Sequence, residues 1–423
     1  MMNKTYPLDT AAKLFPPVTR PTNTSVYRLS MVMTDAVKQD ILQKAAEMTL
    51  ARYPYIAVKL TKTVSDCFFE ANDAPFTVRR ECDMPCAPID EEKDNGYLIR
   101  ILWYENVITL EMFHALADGA GASEILKTLV YCYLTCDGVS IDAEGKILLP
   151  GERIDEAEYE DSFLKYYEGG AAKVSKLPQA FKIKGQQFEQ AGHSIIQGIL
   201  GIDGLKSAAK SHGATITEYL CALMIYSIRR ENVDSEVDDE PIVLSVPVNL
   251  RGLFPSKTIR NFFCILSLSV SIEQADTFRS TLDVVSEQLR EKTKKENLFA
   301  GIKESCGVME NGFVKSVPRF LREAGTRFVF AFFSEDVKTI TMSNVGVIDL
   351  PQDMLKYIQR AETLVYPTER SPINCCMCSV NGIMTITFIK TIKETNLLRF
   401  FFKFLARETG AEVKICTNEW GVH

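Results

Sequence analysis

Long apolar runs are missing from this 423-residue chain, and none of its uninterrupted stretches is long enough to span a bilayer. The first residues, MMNKTYPLDTAAKLFPP, lack a charged segment followed by an apolar one, so no secretory signal is expected. Runs of one charge sign are also scarce. The formal net charge is −7 with dispersed acidic residues, which excludes the electrostatic footprint of a nucleic-acid binder. No basic run marks a membrane-binding patch, and no glycine-rich phosphate loop occurs. Zinc-site spacing is absent as well. Cys82/Cys86, Cys132/Cys136 and Cys375/Cys376/Cys378 form clusters, yet none pairs with a second C-x-x-C or a suitably spaced histidine, so no metal is expected. Twelve cysteines without a secretory signal point to reduced thiols and a cytoplasmic location. Histidine is rare, with four in the chain.

What is present is a globular composition and a length that suits two domains, each with its own core. One stretch organises the rest: VITLEMFHALADGAGASEILKTLVYCYL, residues 107–134. It reads as a buried strand at 107–113, a tight turn with His114, Asp118 and Gly119, and a helix from about 121 to 134. A histidine just past a strand end points in a fixed direction. Asp118 can brace the turn, and Gly119 supplies a position where a side chain would block close approach. Alanines and glycines around them keep the surroundings narrow and dry, which strengthens any polar group left there. The same residues also suit a core histidine beside a helix start, with Gly119 serving the turn alone.

Elsewhere, residues 1–26 read as an extended lead-in and 27–33 as a strand. A helix capped by Asp35 follows, then strands at 55–60 and 67–71 and an irregular region to residue 96. A hairpin at 97–104 and 107–113 delivers the chain to His114. Residues 137–190 read as a connection with one helix near 158–167. The second half opens with a strand at 194–200 and a helix at 203–211. Thr215 and Glu218 then form a capping box for a helix running to Arg230. Strands at 242–248 and 262–271, a helix at 277–297, and a hairpin turning on Asn381-Gly382 follow. A helix at 396–408 and a strand at 412–416 close the chain. His193, His212 and His423 read as surface residues. The aromatic runs Phe328–Phe333 and Phe400–Phe404 read as core packing.

FHALADGAG resembles the HxxxDG motif of the CoA-dependent acyltransferase superfamily, which includes alcohol acetyltransferases, wax ester synthases, chloramphenicol acetyltransferase, plant acyltransferases and the condensation domains of nonribosomal peptide synthetases. LKSAAKSHGATITEYLCALMIYSIRR, residues 205–230, and SVPVNLRGLFPSKTIRNFF, residues 245–263, resemble stretches of the family's second half in the same order. The resemblance implies an α/β fold of two related chloramphenicol-acetyltransferase-like subdomains around a tunnel, here 1–180 with the motif and 181–423. It implies one active centre, because the junction equivalent to the motif in the second half reads Thr391-Ile392-Lys393-Glu394.

It further implies acyl transfer from acyl-CoA to a small-molecule hydroxyl or amine acceptor, with His114 as general base and no covalent acyl-enzyme. Coenzyme A is then a co-substrate and no bound cofactor is expected. By motif position Asp118 pairs with Arg251 in a structural role. Ser343 and Asn344, in TMSNVG, resemble a stretch of wax ester synthase relatives and are candidates for holding the oxyanion or substrate. Lys257 and Arg260 are candidates for the coenzyme A phosphates by charge. Phe113 stands where condensation domains usually carry a second histidine, and the DFGWG motif of plant enzymes is absent. These departures favour the alcohol-acetyltransferase-like branch. Acylation of a carrier-protein-bound acceptor, or a catalytically silent binding module, remains open beside it.

Overall fold

Period-two patterning builds the first sheet. In Val26–Met33 and Val107–Phe113, Tyr27, Leu29 and Met31 share one face with Ile108, Leu110 and Met112, and all are buried. On the other face Arg28 and Ser30 stand opposite Glu111 and Thr109. That face is polar but paired: Arg28 bonds Glu81 through both terminal nitrogens, and Arg100 meets Glu111 at 3.0 Å. The helices Gln39–Arg52 and Gly119–Cys136 pack together over the apolar face. The computed structural model describes residues 4–170, 178–188, 193–309, 317–330, 335–368 and 370–419.

This sheet has five strands in the order Ile358–Val365, Val26–Met33, Val107–Phe113, Ile99–Tyr104 and Arg79–Arg80. Its first strand comes from the second half of the chain. It pairs antiparallel with Val26–Met33, from Ile358 opposite Met33 to Val365 opposite Tyr27. The sequence reading placed no element there. A seven-stranded sheet occupies the second half, in the order Phe263–Val270, Ile242–Asn249, Ile340–Val347, Ile373–Val380, Ile383–Lys390, Ser194–Gly201 and Lys414–Glu419. Its central hairpin turns on Asn381 and Gly382, both with positive φ, as the type I′ turn requires. The expected capping box at Thr215 and Glu218 starts the helix Ile216–Glu231.

Five expectations shift. The helix after the motif begins at Gly119, because Asp118 itself caps it. Asp35 caps nothing; the helix begins at Gln39, behind Lys38. The strand expected at 55–60 runs from Val58 to Lys62, and the long helix at 277–297 breaks into Phe278–Lys292 and Lys295–Met309. The lead-in is also more ordered than an extended segment. It holds a short strand, Thr5–Pro7, a 3-10 turn, Ala12–Leu14, and a single helical turn, Phe15–Val18. No helix among the described residues is long and apolar enough to cross a membrane.

Candidate active site

His114 stands one step beyond the ladder in which Phe113 faces Val26, and its N–H donates to the Ser25 carbonyl at 2.8 Å. The strand end therefore fixes the backbone from which the imidazole projects. Four residues later the Asp118 carboxylate serves three partners at once. Oδ1 accepts the Gly121 N–H at 2.9 Å as the helix cap, and Oδ2 accepts the Phe262 N–H at 2.8 Å. Arg251 lies across both oxygens, Nη1 to Oδ2 at 2.8 Å and Nη2 to Oδ1 at 3.1 Å. The same guanidinium donates to the carbonyls of Thr258 and Arg260. One carboxylate thus ties the histidine turn to the loop following the strand Ile242–Asn249, which is the pairing expected of Asp118 and Arg251.

For packed main chain, glycine is needed at Gly121 rather than at Gly119. A Cβ on Gly119 would meet Val345 at an ordinary 3.5 Å, whereas one on Gly121 would lie 1.7 Å from the Ile259 carbonyl oxygen. Close approach is thus required of Gly121, while Gly119 borders the cavity.

Three aromatic rings surround the imidazole. Phe15 stacks on it with centroids 4.4 Å apart and 13° between planes, Tyr27 lies at 4.7 Å and Phe263 at 5.8 Å. The Tyr27 hydroxyl donates to the carbonyls of Ala117 and Asp118, which locks that ring against the turn. Burial lowers the His114 pKa below its ordinary 6.5, outweighing its own main-chain carbonyl, the charge of Asp118 and the Asn261 side chain. The ring is therefore neutral at pH 7. Its Nδ1 is shut away from solvent, which leaves Nε2 as the nitrogen able to meet a substrate.

His114 opens on a cavity of about 220 Å³ between the two sheets, walled by Phe15, Gly119, Phe263, Ser343 and Asn344 among others. Ser343 and Asn344 thus reach the same space as the histidine from the strand Ile340–Val347. Asn344 is already engaged, donating to Thr217 at 3.2 Å and accepting from the Gly346 N–H. The Ser343 hydroxyl neighbours Cys376. The far wall is polar, with Glu335 bound to Thr368 and ion-paired with Lys338.

The phosphate candidates separate. Arg260 is 4% exposed, donates to the Pro7 carbonyl at 2.7 Å and faces Asp9 at 3.5 Å, so it is committed inside the protein and is withdrawn as a phosphate contact. Lys257 is exposed and holds Asp155 at 2.9 Å, away from the cavity wall. His193, expected at the surface, is buried, and His212 packs beside Tyr219 and Phe278. Phe401 and Phe402 join the core as expected. The side chains of Phe328–Phe333, and His423, lie outside the described residues.

Phe15, Tyr27, Gly121, Asn261 and Phe263 are site residues that sequence reasoning missed. Phe15 sits in a proline-rich lead-in with no patterning that points toward His114, 99 positions away. Gly121 had a visible signal, as the second glycine of DGAG, but only the fold shows which glycine meets the backbone of another loop.

No family model matches the sequence, and no curated protein matches it. Solved structures do match in fold. TRI101 of F. graminearum, in complex with coenzyme A and deoxynivalenol, aligns over 97% of this chain and 99% of its own, at 12% identity and a TM-score of 0.65. TRI3 trichothecene 15-O-acetyltransferase of Fusarium sporotrichioides aligns over 95% and 94%, at 10% identity and 0.59. The epimerization domain from the third module of tyrocidine synthetase B aligns over 97% of each chain, at 10% identity and 0.57. Two sheets of this kind, matched over nearly their whole length by both groups, give the chain the fold shared by the CoA-dependent acyltransferases and the condensation domains.

Proposed function

We propose that the protein transfers an acyl group from acyl-CoA to the hydroxyl or amine of a small acceptor, with His114 as general base. The observation that carries this reading is an imidazole, buried at Nδ1 and held by three aromatic rings, on the wall of a cavity between two sheets. Coenzyme A in the structure of a fold neighbour supports the choice of donor.

In the proposed cycle Nε2 takes the acceptor proton as its oxygen or nitrogen attacks the thioester carbonyl carbon. The resulting oxyanion accepts a hydrogen bond, with Ser343 the better placed of the two candidates because the Asn344 amide is already engaged. The C–S bond then breaks, and the imidazolium returns its proton to the leaving thiolate. Ester or amide and free coenzyme A result, and neutral His114 is restored. Asp118 and Arg251 hold the turn without touching the reacting atoms. Lys257 remains the candidate for a coenzyme A phosphate, reachable only if it leaves Asp155.

The test is thiol release from acetyl-CoA and longer acyl-CoAs over a panel of alcohols and amines. Acceptor-dependent release should fall by roughly 10²–10⁴-fold in His114→Ala. Release that survives the substitution removes His114 as the base. If acyl-CoA binds but no acceptor supports release, a carrier-bound acceptor becomes the reading to pursue.

A further inference from the structure

Two buried polar atoms near the centre of the site make no well-formed hydrogen bond among the described residues: Nδ1 of His114 and Oδ1 of Asn261. They belong to neighbouring side chains, since the Asn261 amide nitrogen donates to the carbonyl of Ala115, the residue after His114, at 3.3 Å. The Asn261 side chain also acts directly on the imidazole, favouring its protonated form. Two unpartnered buried polar atoms side by side are unfavourable unless they meet, and an amide oxygen can only accept, so a bond between them needs the proton on the imidazole nitrogen.

The orientation of the Asn261 amide is settled by its other partners. Its nitrogen faces Asp9 Oδ2 at 3.2 Å and the Ala115 carbonyl at 3.3 Å. Both are acceptors, so the NH₂ end must point to them and the oxygen must point the other way. Asp9 is itself fully buried. It accepts from the Ala12 N–H at 2.7 Å and the Asn261 N–H at 3.4 Å, and it faces Arg260 at 3.5 Å. The arginine withdrawn above as a phosphate contact thereby gains a role, because it neutralises the carboxylate that anchors Asn261.

We infer that Asn261 is a positioning residue for His114: its amide oxygen accepts the Nδ1 proton, while Asp9 and the Ala115 carbonyl hold the amide in the one orientation that allows this. A neutral imidazole carries one proton, and placing it on Nδ1 leaves the Nε2 lone pair facing the cavity. Asp9 and Asn261 thus select the tautomer that acts as a base. The step served is the one proposed above, so the catalytic meaning rests on that reading; the proton's location does not.

The experiment is ¹⁵N NMR of histidine-labelled protein at a pH where His114 is neutral. With four histidines in the chain, His114→Ala assigns the resonance. In the wild type the protonated nitrogen should be Nδ1, and in Asn261→Ala the two nitrogens should move toward an exchanging mixture. A wild-type ring protonated on Nε2 overturns the inference without any variant having to fold. So does a variant ring still protonated on Nδ1, because the main-chain carbonyl of His114 would then suffice alone. In the acylation assay, Asn261→Ala should lower kcat by roughly tenfold, within what the base itself supplies. Its acid limb should move to lower pH, since an amide favouring the imidazolium has been lost; general loosening, by admitting water, would move that limb up. An Nδ1 proton in a protein that transfers no acyl group would retain the inference and sink the proposed function.

Discussion

Phe15 lies flat on His114, so a residue from the lead-in forms part of the environment of an imidazole 99 positions further along the chain. The stack withholds water from one face of the ring, and burial is the main cause of its lowered pKa. Phe15→Ala should therefore raise the His114 pKa back toward 6.5. The acid limb of the pH–rate profile would move to higher pH, with about 1 kcal/mol lost from stability. An unchanged limb would show that Tyr27 and Phe263 suffice.

The ion pair between Asp118 and Arg251 should matter through the turn rather than through the chemistry. Arg251→Ala leaves a carboxylate that is 5% exposed with only main-chain partners, and breaking a buried pair of this kind costs about 3 kcal/mol. Denaturant unfolding of both single variants and of Asp118→Ala/Arg251→Ala checks this. The double variant should lose less than the sum of the singles.

Two glycines separated by one alanine in DGAG should respond in opposite ways. Gly121→Ala forces a methyl onto the Ile259 carbonyl and should cost at least about 3 kcal/mol, read as a lowered Tm or loss of soluble protein. Gly119→Ala should fold normally, and any loss of activity would then report the cavity wall.

Burial pushes the Asp9 carboxyl up from 3.8 to about 6, with Arg260 opposing the shift. The folded state then binds this proton more tightly than the unfolded chain does. Folding stability should fall, relative to Asp9→Asn, as pH rises from about 4 to 6, where the native state must carry the charge. Unfolding midpoints of the two proteins across that window decide it. A difference that stays flat would place the carboxyl at its ordinary value.

What could be read from the residues was what lies close together along the chain. The strand, turn and helix around His114 follow from their own periodicity, and Asp118 and Gly121 sit within a few positions of it. Arg251 was reachable because a resemblance supplied the long-range pairing. Phe15 and Asp9 were not, since their place depends on how the lead-in folds back over the second half. The strand Ile358–Val365, IQRAETLV, escaped notice because Gln359, Arg360 and Glu362 interrupt its apolar residues. Arg360 and Glu362 pair with each other along it, so charges that read as solvent exposure form part of a sheet edge.

That strand also settles what a severed chain would do. A fragment ending near residue 180 would keep His114, Asp118 and most of one core, yet the main-chain groups of Val26–Met33 that now bond Ile358–Val365 would be left open. An uncovered edge with one apolar face recruits any extended peptide that matches it, including a second copy of itself. Severed halves should consequently be sticky apart and complementary together, each carrying the template the other lacks.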